Sequence, residues 1–412
     1  MKTDAIVIGS ELDGLVAAAR LREHGYSIRM FSNGAGSLHY APDGVHVLGY
    51  SPRGHEGIVV EPFATISQLN QRHPYRRIGI GQLRKALDWF IKITGEIHQP
   101  VTINGRNELA VSPAGLSVPV YGTSKHQATV KKLSGKTVAI VRFQEYRDFP
   151  IELIAVELGK TGAEVNIVDV ETPGGIVENA ALAKAFDALE ETDSYFATLK
   201  GSVPAHTEVI LFPAVMGLSG CGQTLASAQR VLGMPCLEVP TLPPSVPGMR
   251  LERAFSHHLQ SMSTALHTGA GINCSSLDEA GRIVVCDDMG RRFEASVLIV
   301  SSGGVLMGGL DVDSYGLIRE TSFGFHTFQS EPLQAASVDQ SLHALHIAGV
   351  ETDNALRPQH SGSGICHNAF VTGRTLAHWN PAAECSAEGV CVATGWVAAE
   401  NAHEYLQALN DG

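Results

Sequence analysis

A four-residue apolar run, Ala5-Ile6-Val7-Ile8, is followed after a short polar turn by Leu12, Leu15, Val16 and Ala19. An uninterrupted run of that length predicts a buried strand, and the i, i+3, i+4, i+7 spacing predicts a helix. Gly25 closes the helix and Ile28–Phe31 predict a second strand, which completes a β-α-β unit. Leu83, Leu87, Phe90 and Ile91 predict a helix over Gln82–Thr94. From Gly135 a second alternation predicts strands at Thr137–Val141, Glu164–Val168 and Glu208–Phe212. Helices are expected between and after them at Pro150–Leu158, Glu178–Leu189 and Thr224–Leu232. Pro240, Pro243, Pro244 and Pro247 cannot be helix interior, so Leu237–Arg250 reads as a segment crossing between domains. A helix from Arg250 to His267, a strand after Gly271 and a hairpin through Asp288-Met289-Gly290 come next. The apolar run Val297–Val300 predicts another buried strand, ending in Ser301-Ser302-Gly303-Gly304. The C-terminal part predicts a strand at Leu345–Ala348 and a helix from Gly389 to Leu409.

The first turn reads Gly9-Ser10-Glu11-Leu12-Asp13-Gly14, against the dinucleotide-binding template G-x-G-x-x-G. The first and third glycines are present. The second, which lets the backbone approach a pyrophosphate, is Glu11. A carboxylate about 4 Å from a phosphate costs roughly 4 kcal/mol at an effective dielectric near 20. Glu11 either swings into solvent or caps the helix N-terminus, where negative charge is favoured, as an internal anion. No Asp or Glu lies between Glu23 and Asp43 to take a ribose after the second strand, which suits FMN better than FAD or NAD.

Composition narrows the class. A chain of 412 residues with 44% apolar and 17% charged residues reads as globular α/β of two or three domains. A net charge of −12 without a long basic run argues against a nucleic-acid partner. The N-terminus lacks the pattern of a signal peptide, and no stretch is long and apolar enough to predict a membrane span. The seven cysteines show no C-x-x-C and are expected as buried reduced thiols of a cytoplasmic protein, with no metal site. His257-His258 read as surface residues, and Gly217-Leu218-Ser219-Gly220-Cys221 lacks the final glycine of a nucleophile elbow.

Several stretches carry a resemblance: His73-Pro74-Tyr75, Arg147-Asp148-Phe149, Val239 through Leu251, Gly349-Val350-Glu351-Thr352-Asp353, Leu356-Arg357-Pro358 and Gly389-Val390-Cys391. On these the chain resembles, nearly end to end, the B component of the bacterial anaerobic glycerol-3-phosphate dehydrogenase. The resemblance implies a Rossmann-like α/β flavoprotein fold of the two-dinucleotide-binding type with an inserted α/β domain. It implies FMN, with FAD the alternative, and a role in oxidising glycerol 3-phosphate to dihydroxyacetone phosphate with electrons passing to quinone. The implied partners are the flavin-bearing A component and the iron–sulfur C component, which links the complex to the inner membrane from the cytoplasmic side. The alternative is a non-catalytic structural component that has lost its flavin.

The sequence departs from the family pattern where a flavin should lie. Glu11 and Asp13 enter the first turn, and Ala41-Pro42-Asp43-Gly44 replaces a polar loop. Ala377-His378 replaces a glycine pair, Asn380 an aspartate, and Ser386-Ala387-Glu388-Gly389 a glycine run. The expectation is weak or absent flavin in this chain alone, with Glu11 and Glu388 opposing the phosphate. Cofactor contacts are expected at Gly9, Ser10, Gly14, Ser32, Gly303, Gly304, Gly373, Gly389 and Val390. Arg250, Arg357 and Arg374 are candidate contacts for a phosphate substrate, and no catalytic residue is assigned. The flavin-type domain is expected from residues 1–60, 245–305 and 340–412, with 61–244 and 306–339 forming the inserted domain.

Overall fold

The computed structural model describes residues 2–41, 43–51, 57–277, 281–331, 333, 344–360 and 364–411. Strand β1 (Lys2–Ile8), helix α1 (Leu12–Glu23) and strand β2 (Ile28–Ser32) form the expected β-α-β unit, followed by α2 (Ile80–Glu96). A hairpin, β3 (Val101–Val111) with β4 (Ser117–Ser124), precedes an alternating block. That block runs β5 (Thr137–Phe143), α3 (Ile151–Gly159), β6 (Glu164–Val170), α4 (Asn179–Asp187) and α5 (Thr192–Lys200). It continues with β7 (Val209–Pro213), α6 (Cys221–Leu232) and β8 (Cys236–Val239). Then come α7 (Val246–Ser261), β9 (Ala265–Thr268), β10 (Ile272–Leu277), β11 (Ile283–Asp287) and β12 (Arg292–Val300). Toward the C-terminus lie the short strand β13 (Ala369–Val371) and the long helix α8 (Ala387–Asp411).

The chain divides into two compact units. The first comprises Met1–Ser37, His46–His98 and Glu252–Gly412; the second comprises Leu38–Val45 and Gln99–Leu251. The expected boundaries differ from this division: 61–98 and the described part of 306–339 go with the first unit, and 38–45 and 245–251 with the second. Helix α2 belongs to the first unit because its apolar face, Leu83, Leu87 and Phe90, is buried there, with Phe90 stacked on Phe255.

The first unit is built on a seven-stranded sheet ordered β10-β11-β12-β1-β2-β9, with β13 beside β12. Strand β1 pairs in parallel with both β2 and β12, in the register Ala5↔Val297 through Ile8↔Val300. Both four-residue runs are buried, as strands covered on two faces must be. Helix α8 lies along α1, and a side chain at Gly395 would overlap the Asp13 backbone.

The second unit carries a four-stranded parallel sheet ordered β6-β5-β7-β8, covered by helices over one contiguous apolar core. The predicted strands and helices of this block are present with shifted ends; α5 and the β3/β4 hairpin carried no readable signal.

Two expected elements change. The helix placed at Arg250–His267 runs from Val246 to Ser261, because Pro247 tolerates the first turn, where no N–H bond is needed. Ala265–Thr268 is instead an edge strand pairing in parallel with β2. The strand expected at Leu345–Ala348 is a 3-10 turn, Ala344–Ile347, and the short partner of β12 is Ala369–Val371. Among the cysteines expected to be reduced, Cys286 is disulfide-bonded, whereas Cys221, Cys236, Cys366, Cys385 and Cys391 are free.

Candidate functional site

The carboxyl ends of β1, β2 and β12 face one crevice in the first unit, the place where open parallel sheets receive ligands. Gly9 ends β1 at φ +103°, donates its N–H to Phe31 O at 2.7 Å, and stands against the Ser301 carbonyl, which any side chain there would overlap. A cavity of about 280 Å³ opens beside this turn, lined by Gly9, Ser10, Glu11, Ser32, Asn33 and Ser302 among others. Ser10 and Ser32 hydroxyls lie 2.7 Å apart, and both donate to Gly34 O.

Glu11 occupies the N-cap position of α1 but caps nothing there. Both expectations for it, solvent exposure and helix capping, are corrected. Its side chain is buried, and its carboxylate accepts the Ser37 N–H at 2.8 Å and the Ser37 hydroxyl. A Cβ at Gly36 or at Gly303 would stand 3.0 Å from Glu11 Oε1, so the carboxylate sits between the loop after β2 and the loop after β12. Burial, and the charge of Asp13 nearby, push the Glu11 carboxyl above the ordinary range. Asp13 is likewise pushed up by burial; its Oδ2 accepts the Thr372 hydroxyl at 2.6 Å.

The start of α8, expected to face a flavin, is covered by the protein. Gly389 donates its N–H to His46 O at 2.9 Å, and a side chain there would overlap Tyr75 Oη, which donates to Val47 O at 2.7 Å. Val390 is fully enclosed. Glu388 is buried against His46, with Nδ1 and Oε2 2.8 Å apart. Burial pushes Glu388 up, but the positive charges of His46 and Arg374 hold its carboxyl below the ordinary range. Glu388 is therefore already paired within the protein. A second buried pair, His73 Nε2 with Glu384 Oε2 at 3.0 Å, lies just before the helix.

The structure brings Gly9, Ser10 and Ser32 together at the cavity wall. Gly14 instead meets Gly9 O, Gly304 meets Arg374 O, and Gly373 meets the Asp13 carboxylate, all as close-packing glycines. Gly303 faces Met307 and Glu11. Of the candidate arginines, Arg250 is buried in a bidentate pair with Glu238 at 2.6 and 2.9 Å, and Arg357 pairs with Asp353. Arg250 is thereby closed to a substrate, whereas Arg357 stays partly exposed. Arg374 keeps a buried Nε without a hydrogen-bond partner. His378 pairs with Glu351, and Pro42 lies outside the described residues. The sequence reading missed Asn33, Gly36, Ser37, Thr321 and Ser322. The Ser32–Ser37 run of small and polar residues was the one local signal.

A flavin dinucleotide does not fit these residues as they stand. The pyrophosphate would have to pass between the first turn and the loop after β12, where Glu11 lies. The cavity, at about 280 Å³, also falls just below the roughly 300–1,000 Å³ typical of ligand sites.

The B component of a probable anaerobic glycerol-3-phosphate dehydrogenase from Halobacterium salinarum is 28% identical, covering 98% of this chain and 99% of that relative. The B component of the anaerobic glycerol-3-phosphate dehydrogenase of Vibrio vulnificus is 26% identical, covering 99% and 98%. Among solved structures, 3-ketosteroid delta1-dehydrogenase from Sterolibacterium denitrificans covers 98% of this chain and 100% of that one, at TM-score 0.46 and 9% identity. No helix among the described residues is long and apolar enough to cross a membrane. The FAD binding domain family model matches residues 4–390, nearly the whole α/β architecture described above, and the chain belongs to that family.

Proposed function

We propose that this chain serves as the B component of an anaerobic glycerol-3-phosphate dehydrogenase. The observation that carries the reading is the parallel β1/β12 register, which sets the Gly9 turn against Ser301. It occurs in a chain that matches relatives of that name from end to end. The substrate is then glycerol 3-phosphate, oxidised to dihydroxyacetone phosphate by the complex, with electrons delivered to quinone. The A component would bear the reacting flavin and the C component the iron–sulfur link to the membrane, so the chain would work at the cytoplasmic face through its partners.

Within that complex two roles compete. An electron-carrying role needs a flavin; FMN is favoured over FAD only in that β2 ends in Ser32-Asn33, with no acid to take a ribose. Gly9, Ser10 and Ser32 would then face it, while Gly14, Gly303, Gly304, Gly373, Gly389 and Val390 act through packing. The supporting role needs only the fold and its interfaces, and Glu11 in the crevice favours it.

Co-expression with the flavin-bearing and iron–sulfur components tests the assignment. The chain is expected to co-purify with both and to be required for glycerol-3-phosphate-dependent reduction of a quinone in membranes. A complex of those two components that assembles and turns over unchanged without this chain would overturn it.

A further inference from the structure

We infer that Glu11 is an internal ligand of the crevice, its carboxylate standing in the place of a cofactor phosphate and refusing phosphate-bearing cofactors. Three observations meet here. The residue stands in place of the second, close-approach glycine of the fingerprint, and although it has the extended N-cap backbone (φ −64°, ψ 163°) its side chain makes no bond to α1. Its two oxygens are engaged by one residue, Ser37, through a backbone N–H and a hydroxyl, the donor types that bind a phosphate oxygen. The same carboxylate is in close reach of Gly36 and Gly303, so it bridges the two loops between which a pyrophosphate would run.

The surroundings fit an occupied anion position. At Gly36 a Cβ would come within 2.9 Å of the Ser10 carbonyl, so the loop after β2 is drawn onto the first turn. Among the described residues no lysine or arginine lines the cavity, and its single ionisable wall residue is Glu11. A phosphate entering beside Glu11 would add a second acid to the same crevice, with Asp13 buried behind the wall. Charge and shape therefore act together. Exclusion of phosphates by Glu11 is a property of the crevice alone and does not depend on membership of a dehydrogenase complex.

The test uses the full chain, purified at neutral pH and titrated with FAD and with ADP by calorimetry and flavin fluorescence. The unmodified protein is expected to purify without a flavin absorption band and to bind neither probe measurably. E11G removes both charge and bulk and is expected to tighten FAD and ADP at least tenfold. E11Q keeps the bulk and removes the charge, so it should tighten ADP by a smaller factor. Stoichiometric flavin in the unmodified protein would overturn the inference, as would a folded E11G with no gain for either probe. If E11G does not fold, E11Q decides: tighter ADP binding supports the inference and unchanged binding overturns it.

Discussion

His46 Nδ1 and Glu388 Oε2 lie 2.8 Å apart, both side chains buried at the first turn of α8 although 342 residues separate them in the chain. Removing one partner leaves the other as an uncompensated buried group. His46→Ala is expected to cost about 3–5 kcal/mol, and H46A/E388A less than the sum of the single changes. Urea unfolding of the three variants measures both quantities.

The buried acids of the first unit give opposite pH dependences. Glu388 titrates below its ordinary value of 4.5 in the folded protein, so its contribution is full above pH 4.5 and is lost as pH falls through the folded value. Glu11 titrates above 4.5, so its contribution is full below pH 4.5 and is lost as pH rises through its folded value. Glu11→Gln is therefore expected to raise the urea midpoint at neutral pH and to flatten its decline from acid to neutral. Midpoints measured against pH for the two proteins check the sign.

Gly9→Ala sets a Cβ onto the Ser301 carbonyl at a left-handed φ of +103°, and both partners are backbone that cannot move aside. The expected loss exceeds about 4 kcal/mol. Thermal unfolding would show it as a large drop, whereas Gly25→Ala, with open space around its Cβ and φ +88°, should lose far less.

In the second unit Glu238 also accepts the Met216 N–H, and Arg250 Nε donates to Gly217 O, so the pair ties β8 and α7 to the loop after β7. Arg250→Met is expected to cost about 3–5 kcal/mol by stranding the carboxylate. Adding Glu238→Leu should restore most of the loss, because the second charge then no longer needs a partner. Denaturant unfolding of the single and double variants measures the recovery.

The β-α-β unit and the strand Val297–Val300 were legible because each is written in a local pattern: a continuous apolar run or a helical stripe. The same holds for β5, β6 and β7. Element ends were less legible. Ala265–Thr268 follows a helix without a break in composition, and it becomes a strand only because β2 offers it an edge. The 3-10 turn at Ala344–Ile347 likewise reads as a strand by its side chains alone.

By itself the sequence determined the fold type, the place of the crevice, and the presence of an acid where a glycine belongs. Those follow from spacing and side-chain volume, which act over a few residues. Only the tertiary structure decided what each charge does. Glu11 is held by Ser37, Glu388 by His46, and Arg250 by Glu238. Such pairings depend on which distant side chains burial brings within about 3 Å, and on the steep rise of electrostatic cost for any charge left there without a partner.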